Sequence, residues 1–325
     1  MNNNSSNLNF IKKLSARFWG ESLYFILLNI ILIIIFSFLL DISRDYLPDF
    51  EFKKIILSRL PLLLALIASS LIIAIIKTPP SLSKKDSLMI IGFNFNKSMI
   101  FHFGHGFLFA IFTIIIVILT GLISSAGISF VEEFDFSSLL LFSIFVFIYA
   151  ASEELLFRGV IFQSLVRRFN PFLITIIISL IFALFHGVNP GVSLVSIVNI
   201  FLAGVFLSYC YLTTKSMWLP ISAHFFWNWS QPVFLGTNVS GLDFGTYFSV
   251  LDLSGSPDWV LVLTGNAFGV EEGILSALIL SAFTFYYIKI MKPNDNILSI
   301  NNIVKENDMK LLALNIFNPK KEISE

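Results

Sequence analysis

Apolar positions in this chain fall into long unbroken blocks rather than the two-residue alternation of strands or the narrow stripe of a soluble helix. The first block, Leu23 to Leu40, follows a polar segment, residues 1–22, that carries Lys12, Lys13 and Arg17. It is long for a signal-peptide core, and the Asp-Ile-Ser-Arg behind it is no small-residue cleavage site, so it reads as a retained transmembrane helix. Further helices are expected over about 55–76, 107–124, 138–166, 171–186, 192–213, 218–235 and 270–291. Pro171 suits the first turn of its helix. Residues 81–106 mix Lys84, Lys85, Asp86 and Lys97 with apolar residues and read as an interfacial amphipathic stretch. The Gly-, Ser- and Asp-rich stretch 236–268 reads as a loop partly lying on the membrane, and 292–325 as a polar tail. No internal repeat is apparent, which speaks against a repeat-built transporter. The expected fold is an all-α membrane protein, a polytopic bundle of about eight transmembrane helices within 23–291.

Composition agrees. The 325 residues are 56% hydrophobic and 13% charged, with mean hydropathy +0.84, against about 25% charged in soluble domains. A net charge of zero gives no sign of a nucleic-acid partner; the bilayer is the expected surroundings. The single cysteine, Cys210, excludes an internal disulfide and a multi-cysteine metal site. Charge distribution says more than net charge. With eight spans, 16 of the 21 Lys and Arg residues fall on one side of the membrane. The other side holds Arg44, Lys53, Lys54 and Arg59, and Arg158 lies within a helix. The positive-inside bias then puts both termini in the cytoplasm, in a cell membrane that the Ile, Asn and Lys bias suggests is microbial.

Against this apolar background a few polar residues stand out. Tyr149 to Phe162, YAASEELLFRGVIF, places Glu153, Glu154 and Arg158 inside a membrane-length helix. An ionisable residue at mid-membrane costs about 2.5–3.5 kcal/mol on insertion scales. Helical spacing pairs Glu154 with Arg158 four residues on and leaves Glu153, about 100° round the axis, without a local partner. These charges could simply lock a bundle, or serve a site. His186 ends a helix in FALFHG, and His224 lies four before Asn228 in ISAHFFWNW, so the latter two share a face. His102 and His105, in FHFGHG, read as packing residues near the water interface. A Glu and a His on neighbouring helices can hold and deprotonate a water, while a His–Asn pair can donate to an oxyanion. Zinc bound through Glu153, His186 and His224 stays open, although there is no H-E-x-x-H and His224 with Asn228 makes a better donor pair than ligand pair. Counting about 1.5 Å per residue from the cytoplasmic end puts His186 roughly 22 Å deep and His224 only about 10 Å, so a shared site needs shifted helices.

EELLFR, FALFH and HFFWN, each in its own apolar helix and in this order, resemble the CPBP intramembrane proteases. That family includes the type II CAAX prenyl endopeptidases and bacteriocin-processing proteins. SMWLPISAH and FGVEEG also look like the family, and the likeness spans about 90–290. The residues themselves call for no cofactor, and the resemblance implies peptide-bond hydrolysis inside the membrane by a glutamate-activated water. In it Glu153 is the base and His186 helps position the water, His224 and Asn228 stabilise the oxyanion, and Glu154 and Arg158 support the site. Substrates would be hydrophobic, leader or lipidated peptides, with a membrane protein partner possible. The alternatives are a membrane-embedded regulatory partner without essential catalysis, and a proton-coupled transporter using the same buried acids.

Overall fold

A computed structural model describes residues 24–41, 53–77, Leu88, and 91–289 apart from 94, 96, 167 and 168. The segments 1–22 and 292–325, and much of 81–96, lie outside the described residues. The protein is a polytopic helical membrane protein. Helix α1 (Tyr24–Asp41) leads to α2 (Lys53–Lys77), α3 (Lys97–Ile123), α4 (Phe136–Arg158), α5 (Val160–Val166), α6 (Pro171–His186), α7 (Leu194–Thr214) and α8 (Trp218–Ser230). A short α9 (Asp258–Thr264) and a final α10 (Ile274–Lys289) follow. Among the described residues, α1, α3, α4 with α5, and α7 are long and apolar enough to cross a bilayer; α6, α10 and part of α2 are shorter apolar helices.

The helix ends follow from local chemistry. Asp135 caps α4, its carboxylate accepting from the backbone N–H groups of Ser137 and Ser138. Asn170 accepts from Phe172 N at the start of α6, with Pro171 in the first turn. Ser193 and Ser196 form a reciprocal capping box on α7, which closes with Lys215 in the left-handed region at φ 53°.

Helix faces turned outward are apolar, as Ile34 and Phe38 on α1 and Phe172 and Leu184 on α6 show. With lipid as apolar as leucine, helices associate through close packing at small residues. A Cβ on Gly106 of α3 would sit 2.1 Å from Ser222 Oγ on α8, and one on Gly204 of α7 would sit 2.8 Å from Ser179 on α6. These contacts bring α3 against α8 and α6 against α7. The first two helices dock on α4 and α5 through Phe25, Leu66, Ile73, Leu155 and Val160.

Several boundaries differ from the sequence expectation. The helix expected over 138–166 breaks at Gly159 between α4 and α5, where an added Cβ would lie 2.0 Å from Leu155 O. Helix α3 starts at Lys97 instead of 107, so His102 and His105 are helical. His102 is buried, with Nδ1 3.1 Å from Ser216 Oγ, rather than at a water interface. Beyond Ser230 the helix expected to reach 235 widens into a π turn, Gln231–Leu235. The stretch 236–268 is not simply loop. Strand β2 (Ser249–Asp252) pairs antiparallel with β1 (Gly127–Phe130), from Gly127 opposite Asp252 to Phe130 opposite Ser249, and α9 follows. The last expected helix, 270–291, opens as one 3₁₀ turn, Val270–Glu272, before α10.

Candidate active site

Helix α4 supplies adjacent acids that leave its axis in different directions. Glu154 is wholly buried. Its Oε1 accepts from Arg158 Nη1 at 3.0 Å and lies 2.8 Å from His224 Nδ1. Arg158, also wholly buried, bonds Gly204 O (2.8 Å) and Ser208 Oγ (3.4 Å), and its guanidinium carbon lies 4.8 Å from the centre of the Phe182 ring. This hydrogen-bonded cluster ties α4, α7 and α8 together, with the guanidinium packed over Phe182 of α6.

Glu153 faces a cavity. Its Oε2 lies 4.0 Å from His186 Nε2 and 3.7 Å from His224 Nε2, is itself buried, and makes no hydrogen bond to any described residue. His186 is oriented by its other nitrogen, which donates to Phe182 O at 2.8 Å and so leaves Nε2 with a lone pair toward Glu153. Asn228, one turn beyond His224, lines this cavity and a neighbouring one walled by His224 and Glu271, and makes no side-chain hydrogen bond to a described residue.

The depth mismatch resolves at the start of α8. That helix begins inside the protein: Met217 and Leu219 are wholly buried, Met217 N donates to Gly92 O (2.9 Å), and the Trp218 ring packs edge-on to Phe93 at 5.1 Å. The segment at 91–93 closes the bundle beneath it, so His224 reaches the level of Glu153.

One buried acid of the cavity wall was not singled out from sequence. Glu271 accepts from Trp227 Nε1 (2.9 Å), Gln231 Nε2 (3.1 Å) and Ser240 N (2.9 Å), while its own carbonyl accepts from Asn199 Nδ2 (2.8 Å). Asn189, three residues past His186, donates to Ser240 O at 3.0 Å. FGVEEG was visible in the chain, but only the fold shows that its first acid braces the helix carrying His224 and Asn228. No sequence signal marked Ser240. Among the described residues, no group of three or more His, Cys, Asp and Glu is arranged to hold a metal ion.

Residues 135–230, from the α4 cap to the end of α8, match the family model described as type II CAAX prenyl endopeptidase Rce1-like. The chain carries an Rce1-like domain. Its bounds enclose every residue of the Glu153–His186–His224–Asn228 cluster, while α1 to α3, Glu271 and α10 lie outside the matched stretch. Proteins of that description are membrane-embedded proteases acting on peptides, and it is this stretch of the chain that is similar to them. No curated protein and no solved structure matches the chain.

Proposed function

We propose that the chain is an intramembrane endopeptidase in which a water activated by Glu153 hydrolyses a peptide bond of a hydrophobic or membrane-associated substrate. The observation that carries this reading is Glu153 Oε2, facing two histidine Nε2 atoms at 4.0 and 3.7 Å with no hydrogen bond to any described residue. That spacing is too long for direct hydrogen bonds and suits one bridging water. Glu153 Oε2 and His186 Nε2 accept the two hydrogens of that water, which turns an oxygen lone pair toward the substrate carbonyl. As the C–O bond forms, Glu153 takes one proton. The carbonyl oxygen becomes an oxyanion facing Asn228 and His224, and loss of one such donor costs about 2.7–4 kcal/mol in related chemistry. Donation by His224 through Nε2 needs a second proton on the ring, with Glu154 as its counter-ion. Collapse of the intermediate breaks the C–N bond, and Glu153 returns its proton to the leaving amine.

Glu154 and Arg158 position this apparatus. The bundle crosses the membrane eight times with both termini cytoplasmic, the arrangement that the loop charges favour. The test is a library of hydrophobic, prenylated and leader-type peptides given to the purified chain in liposomes, with mass spectrometry of products. New termini that appear with wild type and not with Glu153→Gln support the reading. Equal product from both, or proton-coupled uptake without cleavage, removes it.

A further inference from the structure

Helices α4, α6, α7 and α8 alternate in direction, which gives the bundle two distinct ends. At one lie the turns 167–170 and 215–217. At the other lie 124–135, 187–193 and 236–273. The interior between Glu153 and the first end is filled: Gln163, Ser164, Ser216, Met217 and Leu219 are each 1% exposed or less. Gln163 Nε2 fastens that floor to Ile91 O and Arg158 O, both at 3.1 Å. Toward the second end the cavity continues. From Glu153 it runs up α4 past Tyr149, Val146 and Phe145, and the facing wall is Val239, Leu242 and Phe244. Asn189, Ser240 and Leu242 are partly exposed where this shaft reaches the surface.

The two ends also differ in charge. The filled end belongs to the side that carries 16 of the 21 Lys and Arg residues. The segments 124–135 and 236–273 at the open end hold Glu132, Glu133, Asp135, Asp243, Asp252, Asp258, Glu271 and Glu272 and no Lys or Arg, with Asp243 exposed between two shaft residues. Basic loops stay on the cytoplasmic side, so the shaft opens on the opposite one.

We infer that the site is served from the non-cytoplasmic face, and that its substrate is an apolar peptide segment with basic flanking residues that has already been carried across the membrane. This rests on the endopeptidase reading and narrows its substrate class. The apolar wall of Phe145, Leu242 and Phe244 suits the apolar side chains of such a segment, while the acidic rim attracts the flanking cations.

Sidedness is read without activity. The one native cysteine, Cys210, is buried, so single introduced thiols report their own position. In intact cells expressing the full chain, a membrane-impermeant maleimide is expected to label Asp243→Cys directly and Ser299→Cys only after permeabilisation. The reverse pattern overturns the inference. In sealed vesicles of defined orientation, an apolar peptide with Lys flanks should be cleaved when supplied to the non-cytoplasmic face. Its kcat/KM should exceed that of the Glu-flanked peptide about tenfold, a margin that shrinks in high salt. Cleavage only from the cytoplasmic face, or equal turnover of both peptides, overturns the inference while leaving the peptidase intact. If neither face supports cleavage although labelling shows the expected orientation, it is the endopeptidase reading that fails.

Discussion

Glu153 and Glu154 are neighbours on one helical turn, yet the fold treats them in opposite ways. Glu154 is entirely enclosed, and a single oxygen meets both Arg158 and His224. Glu153 keeps 16% of its side chain accessible, faces the cavity, and approaches its histidines no closer than 3.7 Å. A carboxylate whose partners are already in place serves to hold helices. One held near partners, with room for a small molecule between, can exchange a proton. The difference comes from direction alone: about 100° of rotation separates the side that packs on Arg158 and α7 from the side that faces the shaft.

Substitutions can break this contrast. The largest effect is expected for Glu153→Gln, a fall in kcat of about 10²–10⁴-fold, the range for loss of a general base. Its thermal unfolding in detergent should stay near wild type, and ordinary turnover by this variant would remove Glu153 from the role of base. Arg158→Ala should invert the pattern by leaving a buried carboxylate uncompensated. A loss of about 3–5 kcal/mol is expected from removing one partner of a buried pair, seen as a large drop in the unfolding midpoint whether or not substrate is present. Asn228→Ala should lower kcat about 10²–10³-fold with KM little changed, as for an oxyanion donor; a rise in KM alone would assign it to substrate binding instead.

Smaller effects sharpen the comparison. Asp135, fully exposed at the α4 cap, is held down to about 2 from 3.8 by hydrogen bonds from the Ser137 and Ser138 hydroxyls and the Ser138 backbone. A depressed carboxylate stabilises the fold above its unfolded pKa, and that contribution disappears as pH falls from about 3.8 through about 2. Hydrogen exchange in the first turn of α4 should therefore accelerate over that window, and Asp135→Asn should flatten the response. Chelation is expected to do least of all. EDTA or phenanthroline should leave turnover unchanged, whereas loss on chelation with recovery on added zinc would recast His186 and His224 as ligands.

Much of this arrangement is legible along the chain because it is local. Hydrophobic blocks mark the helices, since lipid leaves backbone groups no partner outside their own segment. The Glu154–Arg158 pair follows from a spacing of four, and Asn170 with Pro171 announces the start of α6. Other features depend on residues far apart in sequence and had no local signal. The pairing of 127–130 with 249–252 was hidden in stretches that read as loop, and the break at Gly159 interrupts an apolar run that shows no Pro. His102 looked interfacial until Ser216 and Ser222 closed over it.

Periodicity determines the angle at which a side chain leaves its helix axis, and so the sequence alone distinguished Glu153 from Glu154. It does not determine how far one helix slides along another. That height is set by contacts between segments distant in sequence: Gly106 against Ser222, Gly204 against Ser179, and Met217 under Gly92. Such contacts lift the start of α8 into the interior and bring His224 level with Glu153, and hydrogen bonds from Trp227, Gln231 and Ser240 hold Glu271 in place. The chemistry available was written in the order of residues, while the distances at which it can act were decided by packing.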